Sequence, residues 1–119
     1  MKKSEIYFSI ALDDNRIPEA ISWRATDAGD KIHFAKAINI SLWDRDEAGT
    51  MKIDLWTKDM PVDEMKYFYI DTMGAMAQSI ATATSDNVMA QKIRALCQEL
   101  NDHVEQDRLK NDQGQQPQQ

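Results

Sequence analysis

The spacing of apolar residues changes once along this chain, at Pro61, from a period of two to a period of three and four. A period of two predicts β-strands with one buried face, and the longer period predicts amphipathic α-helices. Proline suits the first turn of a helix, because its missing N–H would have no intrahelical partner there. The chain is therefore expected to place its strands before Pro61 and its helices after it.

Four alternating segments are predicted to be strands, and turn-forming residues separate them. These segments span residues 5–12, 20–25, 37–44 and 51–58. The second begins after Pro18, because proline cannot donate to a β-ladder. Gly49 suits the turn between the last two strands, where a positive φ is needed. Residues 32–35 fit either a helical turn or the start of the third strand.

Two long segments in the second half of the chain are predicted to be amphipathic helices. The first continues to about Ala83 on an apolar stripe of helical period. Ser85 or Thr84 is expected to cap the second helix, whose apolar stripe fades near Arg108. Residues 111–119 contain no core-forming side chain and are expected to form a disordered, Gln-rich tail.

This element order, ββββαα, predicts an α+β fold with two layers. A four-stranded antiparallel sheet is expected to be covered on one face by the two long helices. With 119 residues the chain has the length of one domain, expected over residues 4–110. The apolar side chains expected to be buried together are Phe8, Ile10, Trp23, Ile40, Leu42, Ile53, Leu55, Phe68, Met76, Ile93 and Leu96.

The charge of the chain argues against several classes of partner. Its 14 basic and 20 acidic residues give a net charge of −6, and the basic residues form no cluster. Because binding to phosphates needs concentrated Lys and Arg, neither nucleic acid nor an anionic membrane surface is expected as a partner. No stretch approaches the ~20 apolar residues of a membrane span, and Lys2 and Lys3 are not followed by the apolar segment of a signal peptide. With its single cysteine, Cys97, the chain is predicted to be cytoplasmic.

Catalytic and metal-binding patterns are incomplete in this sequence. His33 and His103 have no second ligand at metal-binding spacing, and neither a phosphate-binding loop nor a nucleophile elbow is present. Residues 44–49 begin like a calcium loop, but Leu55 stands where the final carboxylate is needed. Cys97 lies on the apolar stripe of the second helix with no base nearby in the sequence. The sequence therefore predicts no enzyme activity, no cofactor and no metal site.

The second face of the predicted sheet is the candidate binding surface. Alternation along the strands directs Trp43 and Trp56 away from the helices, among polar neighbours. Aromatic side chains ringed by polar groups are typical of protein interfaces. The residues predicted to bind a protein partner are Tyr7, Arg24, Trp43, Lys52, Asp54 and Trp56. In the alternative interpretation, a loop over residues 26–35 or a second copy of the chain covers these rings.

A four-residue loop over residues 46–49 predicts the register of the last two strands. It places Trp43 opposite Lys52, so that the ammonium group lies over the indole ring. The other expected pairs are Ser41–Asp54, Asn39–Trp56, Leu42–Ile53 and Ile40–Leu55. A slip by one residue would move every side chain to the opposite face, so the apolar pattern argues against that register.

Several segments of the chain resemble a known family. The most distinctive are Pro18-Glu19-Ala20-Ile21-Ser22-Trp23, Ser41-Leu42-Trp43-Asp44 and Asp54-Leu55-Trp56-Thr57-Lys58-Asp59-Met60-Pro61. They are similar to the gliding-motility protein GldC family, and the resemblance covers residues 4–109. It implies a non-enzymatic accessory role in gliding motility and in the secretion machinery associated with it. A protein of that machinery is the implied partner.

The order of the elements offers a second hypothesis. Four antiparallel strands followed by two helices are also the elements of SecB-type export chaperones, which are acidic as this chain is. A chaperone of this kind would self-assemble and hold unfolded exported clients in apolar grooves. A binding or assembly module is instead expected to recover one or two folded proteins.

Overall fold

A computed structural model describes residues 2–114 of the chain. Its strands are β1 (Ile6–Leu12), β2 (Pro18–Ala25), β3 (His33–Ala35), β4 (Ala37–Trp43) and β5 (Thr50–Trp56), and its α-helices are α1 (Val62–Thr84) and α2 (Asn87–Gly114). A short 3-10 helix over Thr26–Ala28 follows β2. The chain forms two compact units that divide between Met60 and Pro61. The predicted α+β class and the change from strands to helices near Pro61 are confirmed.

The strands form two antiparallel sheets, and the prediction of a single four-stranded sheet is wrong. β1, β2 and β3 form one sheet in that order, and β4 pairs with β5 in the other. Residues 32–35, ambiguous in the sequence, contribute β3, which ends one residue before β4 begins. The chain bends at this residue, Lys36, and the Lys36 carbonyl accepts a hydrogen bond of 2.7 Å from the Thr57 N–H. The bend separates the two ladders, and an alternating pattern does not reveal it.

The middle strand of the first sheet carries its most buried side chain. Trp23 of β2 lies opposite both Phe8 and His33, and its ring stacks on the imidazole with the centroids 4.5 Å apart. Ile21 lies two residues earlier on the same face and is fully buried. A central strand has neighbours on both sides, so Ile21 is covered where side chains of the edge strands are not.

One carboxylate organises the turn between β1 and β2. Asp13 Oδ1 accepts hydrogen bonds from the N–H groups of Asn15 at 2.8 Å and Ile17 at 2.9 Å. Asp13 Oδ2 lies 3.3 Å from Lys58 Nζ, which is also 3.0 Å from Glu19 Oε1. Lys58 follows β5, so this pair of contacts ties the end of the second sheet to the turn of the first.

The register of β4 and β5 differs by two residues from the predicted one. The observed pairs are Ala37–Trp56, Ile38–Leu55, Asn39–Asp54, Ile40–Ile53, Ser41–Lys52, Leu42–Met51 and Trp43–Thr50. The prediction that Lys52 lies opposite Trp43 is therefore wrong, as are the other pairs predicted with it. A shift of two residues keeps every side chain on its face, so the apolar pattern does not distinguish the two registers.

The loop between β4 and β5 decides this register. It spans residues 44–49 rather than four residues, and the Asp44 N–H closes it by donating to the Gly49 carbonyl at 3.1 Å. The Asp44 carboxylate accepts hydrogen bonds from the N–H groups of Asp46 at 3.0 Å and Glu47 at 2.7 Å. These local bonds stabilise a loop that is two residues longer than predicted.

α1 and α2 form a helical hairpin with a hydrophobic core of its own. Its buried centre consists of Ile70, Cys97 and Val104. The partly buried side chains packed against this centre are Tyr67, Met73, Ile93 and Leu100. Ala77 and Ala90 are fully buried, as expected where small side chains let two helices approach closely. The interpretation of Cys97 as a core residue is confirmed.

The connection between the helices provides hydrogen-bond partners for backbone groups at the end of α1 and at the start of α2. Ser85 ends α1 in the left-handed conformation, with φ of 59°, and its N–H donates to the Ala81 carbonyl. Asp86 caps α2, because its Oδ1 accepts a hydrogen bond of 3.0 Å from the Met89 N–H. The prediction of Ser85 or Thr84 as this cap is wrong, since both belong to the end of α1.

α2 continues beyond the end near Arg108 that its apolar stripe predicts. It ends at Gly114. Residues 111–114 of the predicted tail are therefore helical, and the remainder of that tail lies outside the described residues.

The predicted joint burial of one set of apolar side chains is wrong. Five residues of the set are each more than two fifths exposed: Phe8, Leu42, Ile53, Met76 and Leu96. Half-buried members of the set are Ile10, Trp23, Ile40, Leu55, Phe68 and Ile93. A strand at the edge of a sheet has a neighbouring strand on one side only, and in a two-stranded sheet both strands are edges. Side chains such as Leu42 are therefore left uncovered.

Candidate protein-binding surface

One face of the β4–β5 ladder carries two tryptophans. Directly opposed residues share a face of a sheet, and so do alternate residues along a strand. Trp43 lies opposite Thr50 at the loop end of the ladder, and Trp56 lies opposite Ala37 at its other end. The tryptophan face, as we call it, comprises Asn39, Ser41, Trp43, Lys52, Asp54 and Trp56. The observed register thus keeps these side chains on the same face.

The centre of the tryptophan face is a hydrogen-bonded polar group. Asn39 lies opposite Asp54, and its side-chain amide donates to Asp54 Oδ1. The other carboxylate oxygen lies 3.2 Å from Lys52 Nζ. Asp54 is the more buried partner of this ion pair, and each of its carboxylate oxygens contacts one neighbour, Asn39 or Lys52. The polar centre therefore has a defined arrangement of donors and charges between the two rings.

Both tryptophan rings are accessible. Trp43 is 73% exposed and Trp56 is 44% exposed. Exposed indole rings bordered by polar groups are enriched at protein interfaces, because the ring supplies a large apolar contact area and the N–H supplies a donor. The arrangement suits recognition of a protein surface.

A shallow cavity extends the tryptophan face beyond the predicted residues. It has a volume of about 250 Å³ and is lined by Ile17, Pro18, Asp54, Leu55, Trp56 and Lys58. Ile17, Pro18 and Lys58 are absent from the predicted site. Ile17 and Pro18 precede the alternating pattern of β2, so a search restricted to strand faces omits them. Their apolar character beside a turn is the signal available in the sequence.

Tyr7 and Arg24 form a separate contact in the first sheet. They lie directly opposite each other, and the Arg24 guanidinium carbon is 4.2 Å from the centroid of the Tyr7 ring. Arg24 Nη1 also lies 3.2 Å from Asp30 Oδ1. A second shallow cavity, of about 220 Å³, is lined by Tyr7, Ser9, Ser22, Trp23, Arg24 and Ile32. The predicted site residues therefore fall into two groups, one in each sheet.

The charged groups beside the tryptophan face keep their charges at neutral pH. Hydrogen bonds from the backbone N–H groups of Ile17 and Asn15, together with Lys58, hold the pKa of Asp13 below its ordinary value. Hydrogen bonds to Glu19 and then Asp13 raise the pKa of Lys58. Groups shifted in these directions are suited to fixed electrostatic contacts rather than to proton transfer.

Two further properties of the described residues bear on function. Within residues 2–114, no three side chains of the His, Cys, Asp and Glu types group closely enough to hold a metal ion. Neither of the described helices combines the length and apolarity required to cross a lipid bilayer.

The sequence matches a family described as "Gliding motility-associated protein GldC-like" over residues 18–106, well over half of the chain. That range includes the whole tryptophan face and Arg24, whereas β1 and Tyr7 precede it. No curated protein and no solved structure matches the chain.

Proposed function

The chain belongs to the GldC-like family of gliding motility-associated proteins, and from this membership we propose that it is a non-enzymatic accessory protein of gliding motility and of the associated secretion machinery. It acts as a binding or assembly module that recognises a protein component of that machinery. The GldC-like family is not a known enzyme family, and the proposed role accordingly consists of binding without catalysis. We place this role in the cytoplasm, as the sequence predicts.

The tryptophan face is the proposed contact surface, and the exposure of Trp43 is the observation that carries this assignment. A side chain that is 73% exposed contributes little to folding, yet an indole ring is the side chain whose burial contributes most at interfaces. The Asn39–Asp54–Lys52 group beside it offers directional hydrogen bonds that select a partner. Apolar anchors around a polar centre thus supply both affinity and specificity.

The test is the double substitution Trp43→Ser and Trp56→Ser. We expect the variant to fold, because both rings are exposed. In a gliding bacterium whose own family member is deleted and whose motility the wild-type chain restores, we expect the variant to fail to restore it. Colony spreading measures motility, and circular dichroism of the purified variant measures folding. Phe34→Ser is the matched control, since Phe34 is an equally exposed aromatic residue of the first sheet at 77% exposure.

Three outcomes would contradict the assignment. Full motility of the double variant would show that the tryptophan face is not required for the function. Unfolding of the double variant would show that the two rings stabilise the fold as core residues and do not serve as an interface. Equal loss of motility in Phe34→Ser would show that any exposed ring matters, without a specific role for this face.

Affinity capture separates a binding module from a chaperone. With the wild-type protein as bait, we expect one or two folded proteins that the double variant does not retain. Recovery of many unfolded clients, retained equally by the double variant, would instead indicate a holdase. Quantitative mass spectrometry of both captures provides the comparison.

A further inference from the structure

Strand β1 has an unpaired backbone edge. It is the outer strand of its sheet and pairs with β2 alone among the described strands. Glu5 and Thr26 are opposed one step before the Ile6–Ala25 pair. The Glu5 carbonyl accepts a hydrogen bond of 3.0 Å from the Thr26 N–H, so Glu5 and Thr26 form a hydrogen-bonded pair of the ladder. Because hydrogen-bonded and non-hydrogen-bonded pairs alternate in an antiparallel ladder, the residues that direct their N–H and C=O groups away from β2 are Ile6, Phe8 and Ile10.

This edge has none of the features that protect edge strands from pairing. Protected edges are short, or they carry charged residues or proline. β1 has seven residues, with the sequence IYFSIAL, and none of these is charged or a proline. All of its side chains except that of Ile10 are exposed. The irregularity of the ladder, between Ala11 and Leu12, affects only the last step of the strand.

We propose that β1 pairs with the β1 strand of a second copy of this chain, antiparallel and about a two-fold axis at Phe8. The interaction is isologous, since the same edge serves in both copies. It places Phe8 opposite the second copy's Phe8 and Ile6 opposite the second copy's Ile10. Even-numbered residues thereby meet even-numbered residues, so the outward N–H and C=O groups of the two edges are hydrogen-bonded to each other.

The charges that flank β1 select this axis. Lys2 and Lys3 precede the strand, and Asp13 and Asp14 follow it. An antiparallel pair centred on Phe8 brings both lysines of one copy beside both aspartates of the other. An axis at Ser9 would instead place Glu5 opposite Asp13, two like charges, which is unfavourable across a strand pair. The charge pattern is therefore self-complementary in one register.

This inference is independent of the proposed function. β1 lies before residues 18–106, which match the family, and outside the tryptophan face. A failure of either proposal therefore leaves the other unaffected.

The first experiment measures association of the full chain by sedimentation over a wide range of concentration. We expect a monomer of 13.6 kDa in equilibrium with a species of twice that mass. Lys2→Asp and Asp14→Lys are each expected to raise the dimer dissociation constant by about three- to thirtyfold, as two exposed ion pairs become repulsive. The combination of both substitutions restores the opposite charges and should restore association.

The control for these charge variants is Lys110→Asp, which changes the net charge as Lys2→Asp does but lies near the end of α2. It should leave the dissociation constant unchanged. A chain that stays monomeric at every concentration overturns the proposal. The same holds if Lys110→Asp weakens association as much as Lys2→Asp, or if the double charge exchange fails to restore it.

The second experiment tests the register by oxidative cross-linking. Phe8→Cys places two thiols directly opposite each other, within the separation that a disulfide spans. Ser9→Cys places them on diagonal positions, about 7–8 Å apart between Cα atoms, which is too far. We expect rapid dimer cross-linking of Phe8→Cys only, with the wild-type protein and its buried Cys97 as the unreactive control. Faster cross-linking of Ser9→Cys would overturn the axis at Phe8.

Discussion

Asp13 is a residue whose single side chain serves both a local turn and a longer-range contact. One carboxylate oxygen accepts two backbone N–H groups of its own turn, and the other lies near Lys58, which is far along the chain. The side chain is only 15% exposed, so these bonds replace most of its contact with water. Each of them favours the ionised carboxylate over the neutral acid.

The stability of the protein is therefore expected to depend on pH through Asp13. Its pKa is lower in the folded chain than in the unfolded one. The contribution is complete above the ordinary carboxyl pKa and is lost as the pH falls through the lowered value. Asp13→Asn imitates the neutral acid, so it should lower the melting temperature at neutral pH and have a shrinking effect as the solution is acidified.

Thermal melts of Asp13→Asn and wild-type protein over a pH series measure this difference. Asp14→Asn is the matched control, because Asp14 is its exposed neighbour. A difference between Asp13→Asn and wild type that stays constant with pH would show that the carboxylate charge is not involved.

Among the elements, the helical hairpin contains most of the buried apolar side chains. Ile70, Cys97 and Val104 lie together in its core, and Ala77 and Ala90 are buried as well. At the other end of the hairpin, the Tyr67 hydroxyl donates a solvent-exposed hydrogen bond of 3.1 Å to Glu105. Packing between amphipathic faces, more than helix propensity, stabilises helices of this kind.

Ile70→Ala is expected to lower the free energy of unfolding by about 2–5 kcal/mol, because it removes a side chain from a core that cannot fully collapse. Ile70 is only 6% exposed. Val88→Ala is the control, since Val88 on α2 is 67% exposed and its truncation should change the free energy by at most about 0.5 kcal/mol. Urea unfolding followed at the helical circular-dichroism band measures both. Equal costs for the two variants would show that Ile70 is not a core residue.

At the scale of the whole molecule, acidic side chains outnumber basic ones, and some of the basic side chains are locally paired. The net charge is −6. Several basic side chains lie within ion-pair distance of carboxylates, among them Arg24 with Asp30, Lys58 with Asp13, and Arg108 with Glu105. Such pairing offsets part of the positive charge, and the basic residues form no cluster in the sequence, so the chain is poorly suited to displacing counterions from a polyanion.

We accordingly expect no binding to a labelled random-sequence DNA duplex or to vesicles of anionic lipid at physiological salt. Fluorescence anisotropy of the DNA and co-sedimentation with the vesicles measure the two interactions. The Lys2→Asp variant provides the control, because lowering the net charge by two units should weaken any genuine electrostatic binding. Binding of wild-type protein that falls steeply with salt would contradict this expectation.

The extent to which sequence predicts this fold differs between its two halves. The helical period after Pro61 locates both helices, and α1 ends at Thr84, within one residue of the expected position. In the first half, alternation locates the strands and assigns Trp43 and Trp56 to one face. The tryptophan face is therefore recoverable from the sequence, whereas alternation along the strands does not reveal the cavity beside it, which Ile17 and Lys58 line.

The sequence by itself determined the α+β class, the change at Pro61, the faces of the strands and the family, because period and motif are local properties of the chain. Only the tertiary structure decided the number of sheets, the register of β4 and β5 and the degree of burial. The bend at Lys36 and the bonds of Asp44 in its loop set the first two. Apolar periodicity is unchanged by a two-residue shift, so the register depends on hydrogen bonds within the loop. It also does not specify which neighbours cover a face, so burial depends on contacts between distant parts of the chain.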